Sequence, residues 1–188
     1  MTNRIIIAAV MFAVAYSGCS RPTAEEEFKR AETAEAEAAR SMDTARSEGT
    51  VRALFTPVIE GFRCVIDHHP RHVLSELALF RIANIRNNYL HDAQAAVDTY
   101  NQYITQYPDG EHTPLSMFLV GYLYNNELHN IDSAGVAYRR FLQKYPNHEM
   151  AVSAQFELNT LGKRPEELIP ASPPPPKTGA KKSKQSPT

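Results

Sequence analysis

From residue 56 onward the apolar positions of the chain fall into helical rows, and the rows repeat. Phe62, Val65 and Ile66 are answered by Tyr100, Tyr103 and Ile104, then by Tyr138, Phe141 and Leu142, at a constant interval. Val58, Ala96 and Ala134 open these rows. The spacing i, i+4, i+7, i+8 puts the side chains on one face of a helix. Each row runs into a proline, at positions 70, 108 and 146, which fixes the interval at 38. A proline keeps the preceding residue out of helical geometry, so each predicted helix stops there.

A second set of rows fills the intervals. Ala78, Ser116 and Ala154 correspond, as do Phe80, Phe118 and Phe156, then Ala83, Gly121 and Asn159. Ile82, Val120 and Leu158 follow the same register, with Ile85, Leu123 and Leu161. Small residues at fixed places allow two antiparallel helices to approach closely. Thr56-Pro57 and Thr113-Pro114 read as a cap followed by a first-turn proline. A fixed period of about 20 to 50 residues marks a repeat architecture, in which one hairpin cannot bury its apolar face alone and the units must stack.

Upstream, residues 24–48 are dense in Ala, Glu and Arg, strong helix formers, with Gly49 as the expected stop. Glu25–Lys29 and Glu26–Arg30 are expected i,i+4 pairs. The acidic run Glu25–Glu27 reads as a solvated helix start. The segment is either a spacer or the first helix of a degenerate leading repeat, since Met42 and Ala45 precede Phe80 and Ala83 by the same interval.

The leader, residues 1–18, changes the picture of location. One cation, Arg4, precedes an apolar run from Ile5 to Ala15. That run is too short for a bilayer core, which needs about 20 residues, and fits an export signal. Ser17-Gly18-Cys19 resembles the lipobox of bacterial lipoproteins, with Tyr16 where an aliphatic residue is usual. The resemblance implies cleavage before Cys19 and lipidation of its thiol, giving a lipid anchor with a linker over 19–23. Cleavage after Ala13-Val14-Ala15 is the alternative. Ser20 follows Cys19 in place of Asp, which favours the outer membrane, facing the periplasm.

Charge and cysteine content narrow the function classes. Lys177, Lys181, Lys182 and Lys184 are the charged residues of the chain from position 170 to its end, and no acid accompanies them. Without these lysines and Arg4, the rest of the chain is clearly acidic. An acidic body with a basic tail is unlike a nucleic-acid binder. The Pro/Lys-rich tail, 164–188, is expected to be disordered and able to touch anionic lipid or cell wall weakly. Cys64, in the apolar phrase Phe62–Ile66, is expected to be a buried, inert thiol. His68, His69 and His72 cluster at the joint before the next repeat, without recognisable zinc spacing, so no metal is expected. His91 and His129 are repeat-equivalent loop positions. No phosphate loop, nucleophile elbow or paired-histidine helix is present, and neither catalysis nor a cofactor is expected.

The phrases Ala96–Tyr100 through Tyr107-Pro108 and Ala134–Tyr138 through Tyr145-Pro146 resemble the tetratricopeptide repeat. Over residues 50–163 the chain looks like the repeats of bacterial envelope proteins. These include the lipoprotein of the outer-membrane β-barrel assembly machine (BamD-like) and the Tol–Pal-associated periplasmic coordinator. His69 replaces the first tyrosine of the Tyr-Pro phrase, and there is no Trp. The resemblance implies an all-α, right-handed solenoid of stacked helical hairpins. It also implies a non-enzymatic interaction scaffold of the cell envelope, in outer-membrane protein assembly or as a peptidoglycan-associated organiser. Its partner would be an envelope protein or extended peptide. First helices line the binding groove in such repeats. Carried over by position, the groove candidates are Leu77, Phe80, Asn84 and Asn87, with Leu115, Phe118, Tyr122 and Asn125 in the next unit.

Overall fold

The computed structural model describes residues 21–44 and 47–163. The leader, the lipidation candidate Cys19 and the tail from residue 164 lie outside the described residues. Seven α-helices and no strand occur among the described residues: α1 Ala24–Ser41, α2 Glu48–His68, α3 Val73–Asn88, α4 Ala93–Gln106, α5 Thr113–Asn126, α6 Ile131–Lys144 and α7 Ala151–Thr160. The class is all-α helical repeat, as the constant proline interval requires. The ends of α2, α4 and α6 keep that period, each just before its His-Pro or Tyr-Pro phrase.

Helices α1–α4 form one unit, ending at Gly110, and α5–α7 a second, beginning at Glu111. In the first, α1 packs on α2, α2 on α3 and α3 on α4. The apolar stripe of α2 (Phe55, Val58, Ile59, Phe62 and Val65) is buried against Phe28 and Ala31 of α1 and against Ala78, Ile82 and Ile85 of α3. Phe28 meets Phe62 edge-on, ring centroids 5.4 Å apart. Each such buried ring contributes about 1.5–3 kcal/mol. In the second unit α6 packs between α5 and α7, burying Tyr138 and Phe141.

Several local expectations are corrected. α1 is packed into the hairpin over its length, and Gly49 stops nothing. The helix breaks at the 3₁₀ turn Met42–Thr44, and Ser47 caps α2 by accepting from the Thr50 N–H. α2 therefore starts well before Val58, at Glu48, and Pro57 lies inside it. Pro57 lacks only the amide that would reach residue 53, and the flanking apolar contacts keep the helix whole. At α5, Pro114 does occupy the first turn, but Thr113 is already helical and His112 precedes it without a side-chain cap. The true cap of α1 is Thr23, in a reciprocal capping box with Glu26. The expected Glu25–Lys29 and Glu26–Arg30 pairs are replaced, because Glu26 turns back to Thr23, Lys29 pairs with Glu32 and Glu25 reaches His72.

His91 and His129 have φ of 48° and 51°, in the left-handed region that L-residues enter at a cost. They close equivalent turns, in which the Asp92 N–H donates to the Arg86 carbonyl and the Asn130 N–H to that of Tyr124. Asp92 and Asn130 then cap α4 and α6. Gly162, φ 71°, ends α7 without that cost. His91→Gly should stabilise the first unit by about 0.5 kcal/mol, the relief of strain exceeding the added chain entropy. Urea denaturation of the two proteins measures it.

Candidate functional site

The first helices, α3 and α5, carry the groove candidates, and they differ. On α3, Phe80 is buried beneath Tyr100 and Tyr103, centroids 6.1 and 5.7 Å away, and Leu77 is half-buried against the core. The Tyr100 hydroxyl donates to Asn84 Oδ1 at 2.7 Å, with Asn87 beside it, and the Tyr103 hydroxyl donates to Glu76 Oε1 at 2.6 Å. Asn84 is thus committed to the protein's own interior rather than presented as an open hydrogen-bonding lining. Asn87 is half-buried and donates to Asn88 Oδ1. Burial pushes the Tyr100 phenol well above its ordinary value.

On α5 the same positions are less polar. Glu76 and Tyr103 become Pro114 and Phe141, so acceptor and donor disappear together. Asn84 becomes Tyr122 while its partner's counterpart, Tyr138, keeps a hydroxyl. The Tyr138 Oη is buried without a hydrogen-bond partner, and Tyr122 turns outward, 41% exposed. Burial first, then Glu157 and Tyr122, raise the Tyr138 phenol well above its ordinary value. Leu115 is 36% exposed, one face with Tyr122 at i, i+7. Phe118 is half-buried against Tyr138 and Phe141, centroids 5.8 and 6.2 Å away. Asn125 is half-buried and ties α5 to α7 by donating to Glu157 Oε2 at 3.4 Å.

α7 adds two exposed apolar residues outside the groove candidates carried over by position. Phe156 stands where Phe80 and Phe118 stand, yet it is 61% exposed, and Val152 one turn earlier is 80% exposed. Phe80 and Phe118 are covered by two rings of the helix that follows. One period beyond Tyr138 and Phe141 stand Pro176 and Gly179, so the sequence itself lacks the covering pair. That mismatch is the signal that marks Phe156 as surface.

The remaining candidates for chemistry are also placed. Cys64 is exposed, not buried. It lies across α2 from Phe62 and Val65, on the face shared with Glu60, Arg63 and Asp67, which overrides its apolar sequence neighbours. Glu27, expected in solvent, is buried where α1 meets the joint after α2. His68 Nδ1 lies 2.8 Å from Glu27 Oε1, His69 Nε2 3.6 Å from Glu27 Oε2, and His72 Nε2 3.2 Å from Glu25 Oε1. Among the described residues no three His, Cys, Asp or Glu side chains are placed to hold a metal ion. No described helix is long and apolar enough to cross a membrane.

Against known families, residues 77–110 and 115–148 each match the tetratricopeptide repeat. The offset between the two matched segments is the interval read from the prolines. No curated protein matches the chain. The two matches coincide with the hairpins α3/α4 and α5/α6, so the chain carries two tetratricopeptide repeats.

Proposed function

We propose that the protein is a non-enzymatic scaffold that grips another protein or an extended peptide through the first helices of its repeats. Tetratricopeptide repeats generally mediate protein–protein interaction. The observation that carries the reading is the set of apolar side chains left open on the second unit, Leu115 and Tyr122 of α5 with Val152 and Phe156 of α7. Large aromatic residues that are exposed and held by a rigid helix are the usual anchors of an interface. α3 offers less, because its polar groups are spent on Tyr100 and Tyr103. The Ser17-Gly18-Cys19 phrase supports a lipid-anchored scaffold of the bacterial envelope and Ser20 the periplasmic side of the outer membrane, while the likeness of the repeats to those of envelope proteins favours outer-membrane protein assembly as its setting. The lysines of the tail favour a second reading, a peptidoglycan-associated organiser.

Photo-crosslinking decides between these readings. A photoreactive phenylalanine at position 122 should give one discrete adduct with an envelope protein, and Phe156→Ala in the same chain should lower its yield by about tenfold, the loss expected for one interface anchor. Equal yields from position 122 and from the exposed position 64 on α2 overturn the site. Loss of cell-wall sedimentation on removing residues 170–188, with no protein adduct, supports the second reading instead.

A further inference from the structure

In the first unit a cleft of about 200 Å³ opens between α2, the end of α3 and the start of α4. Arg86 reaches it from the side of α3 opposite Leu77 and Asn84. The Arg86 side chain is half-buried there. Its Nη1 donates to the Ala95 carbonyl at 3.3 Å and to the Thr99 hydroxyl, which ties the group to the start of α4. Nε and Nη2 carry the remaining N–H donors along the other edge of the guanidinium, and no acceptor among the described residues takes them. Arg86 makes no ion pair among the described residues either.

The repeat does not require an arginine at this place. One period on, Tyr124 and Ala137 stand where Arg86 and Thr99 stand, and α5 and α6 still pack as a hairpin. A half-buried cation without a counter-ion is unfavourable. A second cation adds to the cost, for Arg63 of α2 lines the same cleft. Burial first, then the field of Arg63, holds the Arg86 guanidinium below its ordinary value, while Asp92 and Asp98 act the other way. Those two carboxylates have other contacts. Asp92 caps α4 by accepting from the Ala95 N–H, and Asp98 accepts from Gln94. Glu60 pairs with Arg63 at 2.8 Å, but both side chains are exposed, and a pair of that kind contributes little and yields to a competing anion. Arg52, farther along the cleft, pairs with Glu48.

We propose that this cleft binds one phosphate group between Arg86 and Arg63. The open edge of Arg86 is a planar two-pronged fork, already oriented by the bonds on its other edge, so little freedom is lost when an oxyanion docks. Arg63 supplies a second guanidinium from α2 by turning from Glu60. Phosphate fits this pair better than carboxylate does. Its oxygens accept a fork from each of two guanidinium groups, whereas the two oxygens of a carboxylate are filled by one. The bound charge replaces a repulsion between two arginines with two attractions. The cleft is smaller than the roughly 300–1,000 Å³ of a site for a drug-sized molecule, which suits a phosphate group standing free or at the end of a lipid headgroup.

Nuclear magnetic resonance of the isotope-labelled full chain tests it, with inorganic phosphate added at an ionic strength held constant with chloride. The side-chain N–H signals of Arg86 and Arg63 and the Ala95 amide should shift together and saturate. Arg86→Lys keeps the charge and loses the fork, so it should weaken binding by about tenfold, the loss of one charge-assisted hydrogen bond. Shifts that never saturate, equal affinity for acetate, or an unchanged affinity in Arg86→Lys overturn the site. If Arg86→Lys also disperses the α4 signals differently before phosphate is added, Arg63→Gln on the exposed side of α2 decides. Binding weakened by about fivefold or more supports the site, and unchanged binding overturns it. Glycerophosphoglycerol, the soluble headgroup of an anionic phospholipid, separates the two sources: tighter binding than inorganic phosphate assigns the cleft to a lipid headgroup, and weaker binding assigns it to free phosphate.

Discussion

Tyr138→Ala is expected to destabilise the second unit by about 3–5 kcal/mol, whereas Tyr138→Phe should cost nothing or gain up to about 1 kcal/mol. The ring is fully buried, packed on Phe118 and seated against the backbone of Gly121, so its removal leaves a cavity that three helices cannot close. The hydroxyl is a different matter. It is buried with no hydrogen-bond partner, because Tyr122 stands where the first unit has Asn84. An unsatisfied buried donor carries a desolvation cost that phenylalanine removes. The contrast with the first unit is the control: Tyr100→Phe should cost about 1 kcal/mol or more, since it strands the half-buried Asn84 Oδ1. Urea denaturation monitored by exchange in α4 and α6 separates the units. A Tyr138→Phe protein less stable than wild type shows that the hydroxyl has a partner.

How much of this was legible beforehand follows from which forces are local. The repeat period, the stops before Pro70, Pro108 and Pro146 and the paired rows of α3 to α6 are carried by side-chain spacing and by proline sterics, both written in the sequence. The left-handed turns at His91 and His129 were visible only as equivalent positions, because nothing in a histidine announces a positive φ. Pro57 misled because a proline at a helix start and one tolerated inside a long, well-packed helix read alike over a short window. Cys64 misled for a related reason: close chain neighbours can sit on the opposite side of a helix. Glu27 was lost because burial of a charge is decided by residues distant in the chain, His68 and His69. For the candidate face, position alone named Leu115 and Tyr122 but could not tell that Asn84 is consumed by Tyr100. Phe156 was readable in principle from what is missing at Pro176 and Gly179.

The sharpest test of the hairpin geometry is Gly121. A Cβ built there would lie 2.8 Å from both Cδ1 and Cε1 of the Tyr138 ring, closer than van der Waals contact permits. Two effects then oppose one another. Alanine is favoured over glycine inside a helix by about 1 kcal/mol. Forcing a buried ring aside costs about 1–3 kcal/mol, and Tyr138 has no open side to move toward. The clash outweighs the propensity: Gly121→Ala should lose up to about 2 kcal/mol, and Gly121→Leu about 3 kcal/mol. The first unit shows that the limit is local spacing and not the repeat pattern, for Ala83 occupies the equivalent position and is fully buried in a hairpin with Tyr100. The prediction becomes decisive as a double-mutant cycle. In a Tyr138→Ala background the obstacle is gone, so Gly121→Ala should change sign and stabilise by up to about 1 kcal/mol, giving a coupling of about 1–3 kcal/mol, the size of the clash removed. An additive cycle would mean that α5 and α6 are not held by the contact between this glycine and this ring. The small-residue column would then reflect helix packing in general, with no tie to the aromatic column of the helix that follows it.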